Sequence, residues 1–250
     1  MTGRKRCGTA VFLLIEAVLY TAVVIPGFHG RVCHPLRFLT ILVCAVYSLI
    51  LTREKRDSCR IWLSAAMLLT ALADFCFEIL QGQELPALFI FVVVQFCHGI
   101  RLRICFGGEE KRAVTGLAFV GLRAALLSLF LLILAWSKKL PFGLQDLAEM
   151  EKKELVMLSL MLVYGMNILC NQITAMICLA RERSPASLCM TLGFFLFILC
   201  DITVAAWLLY PRTGLSWIMT ERLAEMTWVF YIPSQVLLVL SAVFGRYSMK

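Results

Sequence analysis

Residues 187–209 read SLCMTLGFFLFILCDITVAAWLL, and residues 61–80 read IWLSAAMLLTALADFCFEIL. A helix rising about 1.5 Å per residue crosses a bilayer with about 20 apolar residues, so each stretch reads as a span. Each carries one aspartate in its interior, Asp201 in the first and Asp74 in the second. A carboxylate at membrane depth is costly. It faces a cavity or a partner, which makes it a candidate working residue.

The same pattern repeats along the chain. It predicts helices at Thr9–Phe28, Pro35–Thr52, Ile61–Leu80, Leu85–Phe106, Val114–Trp136, Glu154–Ala180, Ser187–Leu209 and Ala224–Phe244. The chain has 250 residues, of which 61% are hydrophobic and 16% charged. Its mean hydropathy is +0.86. Soluble domains are far more polar. The expectation is all-α: one integral-membrane domain over residues 1–250, a bundle of eight transmembrane helices. Breakers divide the runs. Pro26 and Gly27 close the first, Arg53 to Arg60 separate the second from the third, and Gln81 to Glu84 form a tight turn before the fourth. Arg181 to Ser184 and Pro211 to Gly214 bracket the seventh.

The net charge is +8, and the basic residues sit mainly between apolar runs. They read as topology signals and anionic-lipid contacts, not as a nucleic-acid stripe. Of the 24 lysines and arginines, an N-inside arrangement assigns 15 to inner segments and 8 to outer ones, with Arg123 inside the fifth run. The inner excess predicts that both termini are cytoplasmic. The first run follows Arg4, Lys5 and Arg6 as a signal sequence would, but it is too long and lacks a cleavage site, so it reads as a retained helix. Compact loops suggest a bacterial cell membrane. The 11 cysteines fall mostly inside apolar runs, with no CxxC and no zinc spacing against His. They read as small buried hydrophobes in a reducing setting, without a disulfide framework, metal or cofactor.

In the predicted orientation the third and seventh spans both run outward. Asp74 and Asp201 then share a level near 20 Å from the inner boundary, at about 1.5 Å per residue. Other polar groups lie on helical stripes. Gln95, His98 and Arg101 recur every three residues in the fourth span, with Arg101 expected to snorkel toward inner headgroups. Asn167 and Asn171 share a face of the sixth span, as do Tyr231 and Gln235 in the eighth, beside Pro233. Such groups serve either as polar glue between helices or as cavity lining. Glu16 and Glu78 lie nearer the predicted boundaries, within reach of water.

Taken in order, several short motifs resemble the YhhN-like membrane protein family, whose characterised members include lysoplasmalogenases. They are His34-Pro35-Leu36, Ala73-Asp74, His98 followed by Arg101, Cys200-Asp201, and Phe230-Tyr231-Ile232-Pro233-Ser234-Gln235. The family commonly has Lys-Pro-Leu, Gly-Asp, His with Tyr three residues on, Ser-Asp and Tyr-Tyr-x-x-Ala-Gln at these places. The resemblance runs from the second span to the eighth. It implies cleavage of the vinyl ether bond of lysoplasmalogen, releasing a fatty aldehyde and a glycerophospho-headgroup product. It further implies Asp74 and Asp201 as an acid/base pair sharing one proton. His98, Asn171, Tyr231 and Gln235 would orient water or polar substrate atoms, and Arg101 would contact phosphate, although its predicted depth is opposite to the aspartates. The implied partners are a lysophospholipid and the bilayer. A catalytically silent bundle that binds lipid or protein, and a transporter of small molecules or lipid, are the competing readings.

Overall fold

The computed structural model of the protein describes residues 3–25, 33–80, 82–106, 152–213 and 217–245. These form α1 (Gly3–Val24), α2 (Cys33–Glu54), α3 (Ser58–Asp74), α4 (Glu84–Phe106), α5 (Lys152–Glu182), α6 (Pro185–Thr213) and α7 (Trp217–Phe244). A π-helical stretch, Phe75–Leu80, extends α3. Among the described residues, 7 helices are long and apolar enough to cross a membrane. The architecture is an all-α polytopic bundle. The predicted fifth span, Val114–Trp136, lies outside the described residues.

Helix ends follow local chemistry. Asp57 caps α3, its Oδ1 accepting from the Arg60 amide at 3.0 Å. Ser184 caps α6, its Oγ accepting from the Ser187 amide at 3.1 Å, and Pro185 takes the first helical position, where a missing N–H costs nothing. Between α5 and α6 the chain turns through Arg183, which adopts a left-handed φ of 46°. Several predicted boundaries move, α1 beginning at Gly3 and not Thr9, and α7 at Trp217 and not Ala224. α2 spans 22 residues, longer than the predicted Pro35–Thr52, because Pro35 is accommodated in its first turn. α6 continues past the expected stop at Pro211 to Thr213, since a proline in the final turn removes only one ladder bond.

α6 and α7 make the most extensive helix pairing, followed by α3 with α4. Gly193 explains the first. A Cβ there would lie 2.9 Å from Leu238 Cγ and 3.2 Å from the Ser234 carbonyl oxygen, so only glycine lets the two backbones approach this closely. Polar bonds pin other pairs. Arg60, buried at the start of α3, donates to the Leu51 carbonyl at 2.9 Å and to the Ala242 carbonyl at 3.4 Å, joining α2, α3 and α7. Tyr47 packs face to face on Phe12 with ring centroids 4.2 Å apart and bonds Thr9 at 2.9 Å, attaching α1 to α2. Glu16, expected near water, is instead buried and accepts the Cys44 thiol at 3.4 Å.

The cysteine expectation needs one correction. Cys59, at the start of α3, and Cys105, at the end of α4, form a disulfide, and the other nine cysteines are in none. Antiparallel packing brings those two helix ends together, a proximity that sequence spacing does not reveal.

The packing can be tested at Gly193 and at the disulfide. Gly193→Ala should lower stability by about 1–3 kcal/mol through overpacking, exceeding the roughly 1 kcal/mol that alanine gains in helix propensity. Gly165→Ala, with nothing within 4 Å of the added Cβ, should melt at or slightly above wild type in detergent. Equal melting of the two variants would remove the close-approach argument. Alkylation of the purified, denatured protein should label nine thiols before reduction and all 11 after it. A count of 11 without reductant refutes the disulfide.

Candidate functional site

One cavity of about 830 Å³ opens at the bundle end where α2, α5 and α7 begin and α6 finishes. Its walls are mainly apolar. α5 contributes Met157, Met161, Tyr164, Gly165, Ile168 and Leu169, a single stripe at helical spacing. α6 contributes a second stripe, Phe197, Ile198, Asp201, Ile202 and Ala205. Leu88 and Phe91 of α4 and Thr227, Trp228 and Tyr231 of α7 complete the wall. The volume falls in the range of small-molecule sites, about 300–1,000 Å³.

Both aspartates line this cavity. Asp74 is the last residue of α3 before the π-helical stretch. Asp74, Phe77 and Glu78, spaced i, i+3 and i+4, line the cavity together, and the stretch that follows Asp74 is π-helical, an irregularity that recurs at functional sites. Tyr231 donates to Asp74 Oδ2 at 2.8 Å, tying α3 to α7. Tyr164 donates toward both oxygens of Asp201, at 3.0 Å and 2.9 Å, tying α5 to α6. The rings of Tyr164 and Tyr231 flank Phe197, with centroids 6.5 Å and 5.5 Å from it. The two carboxyl groups make no hydrogen bond with each other. Each is held by its own tyrosine.

At the mouth, His34 Nδ1 meets Glu78 Oε2 at 2.6 Å and Arg37 Nη1 approaches the same oxygen at 3.9 Å. Glu78, expected near water, is thus drawn into an ion-pair cluster with only 13% of its side chain exposed. The Arg37 guanidinium lies 5.1 Å from the Trp228 ring centroid. Arg37 Nε is buried and has no hydrogen-bond partner among the described residues.

The other candidate residues lie elsewhere. His98, Asn171 and Gln235 are fully buried further from the mouth and do not line the cavity. Asn171 donates to the Gln95 carbonyl at 2.9 Å and to its Oε1 at 3.0 Å, which is glue between α4 and α5. Gln235 Nε2 reaches Ser234 Oγ at 3.2 Å. The His98 ring stands edge-on to Phe194, centroids 5.4 Å apart, and neither of its nitrogens is hydrogen-bonded among the described residues. Arg101 does not snorkel. It is 1% exposed and donates to the Leu238 carbonyl at 3.2 Å and to Ser241 Oγ at 2.6 Å, toward the end of the bundle opposite the mouth. A backbone carbonyl and a serine hydroxyl on α7 take its two terminal nitrogens inside the protein, away from any headgroup.

Sequence reasoning passed over Tyr164 and Arg37. Tyr164 falls on the Asn167–Asn171 stripe, three and seven residues ahead, and that spacing was its only signal. Arg37 follows His34 by one helical turn. Among the described residues no group of three His, Cys, Asp or Glu side chains is arranged to hold a metal. Comparison with protein-family models, with curated proteins and with solved structures finds no match to this chain.

Proposed function

We propose that the protein is a lysoplasmalogenase-like hydrolase, a remote member of the YhhN-like family, that cleaves the vinyl ether bond of lysoplasmalogen. The proposal includes an eighth span over Val114–Trp136, both termini on the cytoplasmic side and residence in a bacterial cell membrane. One observation carries it: two carboxyl groups from distant parts of the chain line a single apolar cavity, each oriented by a tyrosine hydroxyl.

Hydrogen-bond geometry suggests the roles. Asp74 receives Tyr231 on Oδ2 alone, and Oδ1 has no partner among the described residues. That oxygen can carry a proton and deliver it to the β carbon of the vinyl ether. Asp201 receives Tyr164 across both oxygens, as a carboxylate does. The protonated substrate is an oxocarbenium ion, which a neighbouring carboxylate stabilises. Asp201 then takes a proton from the water that attacks the cationic carbon, giving a hemiacetal. Return of that proton to the ether oxygen, and loss of the hydroxyl proton to Asp74, splits the hemiacetal into aldehyde and alcohol. Both carboxyl groups end as they began, and one water is consumed.

The test is aldehyde release from lysoplasmalogen by purified protein in detergent. Asp74→Asn and Asp201→Asn should each reduce kcat by about 10²–10⁴-fold, the usual contribution of general acid–base groups. Tyr164→Phe removes a hydrogen bond to a charged acceptor, about 1.5–3 kcal/mol, and should cost about 10–100-fold, whereas Tyr231→Phe removes one to the neutral acid Asp74, about 0.5–1.5 kcal/mol, and should cost about 2–10-fold. Folded aspartate variants with wild-type aldehyde production would dispose of the mechanism.

A further inference from the structure

We propose that the cavity holds its ligand in one pose: a single-chain phospholipid with its phosphate against Arg37 and His34 at the mouth and its hydrocarbon chain in the slot between α5 and α6, past Gly165. This rests on the hydrolase reading for the chemistry of the ligand, and it assigns the headgroup site and the residue that sets chain length.

The mouth carries the charge. Arg37 is spread on Trp228 and lies 3.9 Å from Glu78, longer than a hydrogen bond, so its donors are not committed to that carboxylate. Its side chain is 19% exposed and lines the cavity, while its Nε is buried, so the terminal nitrogens are the donors that can meet a ligand. A planar guanidinium with uncommitted donors matches a phosphate group. His34, 38% exposed, stands beside it on the same face of α2, one turn earlier. Arg101 cannot serve this role from its buried place near the other end of the bundle.

The slot carries the apolar part. From Met157 to Leu169 the α5 wall extends about 18 Å at 1.5 Å per residue, from the mouth past Tyr164 toward the cavity floor. Gly165 sits in this wall with nothing within 4 Å of where a Cβ would be, so the missing side chain leaves open space in the path of a chain. Leu169 and Ile202 line the cavity and are also 47% and 58% exposed. Among the described residues, the α5–α6 seam therefore borders both the cavity and the bilayer, a route by which a chain slides in from lipid. A phosphate at the mouth and a chain at the floor leave the linkage between them beside Asp74 and Asp201.

Binding, read separately from turnover, tests the pose. The probes are acyl lysophospholipids of short and long chain, the corresponding monoglycerides, which lack phosphate, and a diacyl phospholipid. Affinity is measured by native mass spectrometry in detergent on wild type, Arg37→Met, Arg37→Lys, Gly165→Ala and Gly165→Leu. Wild type should prefer the lysophospholipid over the monoglyceride and over the diacyl lipid. Arg37→Met should weaken lysophospholipid binding about tenfold at every chain length, the loss of one charge-assisted hydrogen bond, and leave the monoglyceride unchanged. Arg37→Lys should fall between. Gly165→Leu should weaken the long-chain probe at least about tenfold, as if two or more methylenes lost their place, and spare the short one, with Gly165→Ala weaker in the same direction. An unchanged phosphate preference in both Arg37 variants, or an unchanged long-to-short ratio in both Gly165 variants, overturns the pose. Equal binding of the diacyl lipid does so too. Loss of the aldehyde assay alone, with these binding differences intact, sinks the hydrolase and leaves the pose standing.

Discussion

The structure depends on the cost of placing a carboxyl group in an apolar interior. Left without a partner there, an ionised carboxylate costs so much that the chain must supply donors or keep it neutral. Two tyrosine hydroxyls meet that demand, one for Asp74 and one for Asp201. Each bond also crosses between helices, α3 to α7 and α5 to α6. The same contacts that make the acids tolerable therefore fix where four helices sit around the cavity. Phe197 stands between the tyrosine rings and spaces the two acid–tyrosine pairs. Site and scaffold are one set of contacts.

Elsewhere the bundle meets the same demand with less specialised groups. Arg101 donates to a carbonyl and a serine hydroxyl on α7, Arg60 to carbonyls on α2 and α7, and Asn171 to Gln95 on α4. In lipid the apolar surfaces gain little by leaving the chains of the bilayer for one another, so such bonds and close approaches like that at Gly193 hold the helices together. The polar residues of the apolar runs thus divide by place. Those near the mouth border empty space, and those deeper in the bundle border other helices.

Much of this was legible in the sequence. Hydropathy alone located the seven described spans, because an apolar run of this length has one solution in a bilayer. Counting residues from the predicted boundaries put Asp74 and Asp201 at one level, and both line the same cavity. The partners of the acids were not legible, because they depend on which helices are neighbours. Tyr231 was visible through its place beside Gln235, whereas Tyr164 looked like one more aromatic in an apolar run. The π turn after Asp74 left no mark in FCFEIL that hydropathy can read. The Cys59–Cys105 disulfide was hidden for the same reason, since 46 residues separate its halves.

The two arginines show where the one-dimensional argument breaks. Snorkelling treats a long basic side chain as choosing between lipid and water. Arg101 has a third choice, a neighbouring helix with carbonyl and hydroxyl acceptors, and it points inward. Arg37 reads in the sequence as a boundary charge to be tallied for topology. Its helix begins at the cavity mouth, so the same boundary position becomes a wall of the site. Depth along a helix was readable in both cases, and azimuth was not. Azimuth decides whether a charge meets lipid, protein or ligand, because at one depth these surroundings differ by direction alone. A positive charge tallied at a membrane boundary can therefore serve a binding site as well, wherever its helix packs beside a carboxylate-bearing span.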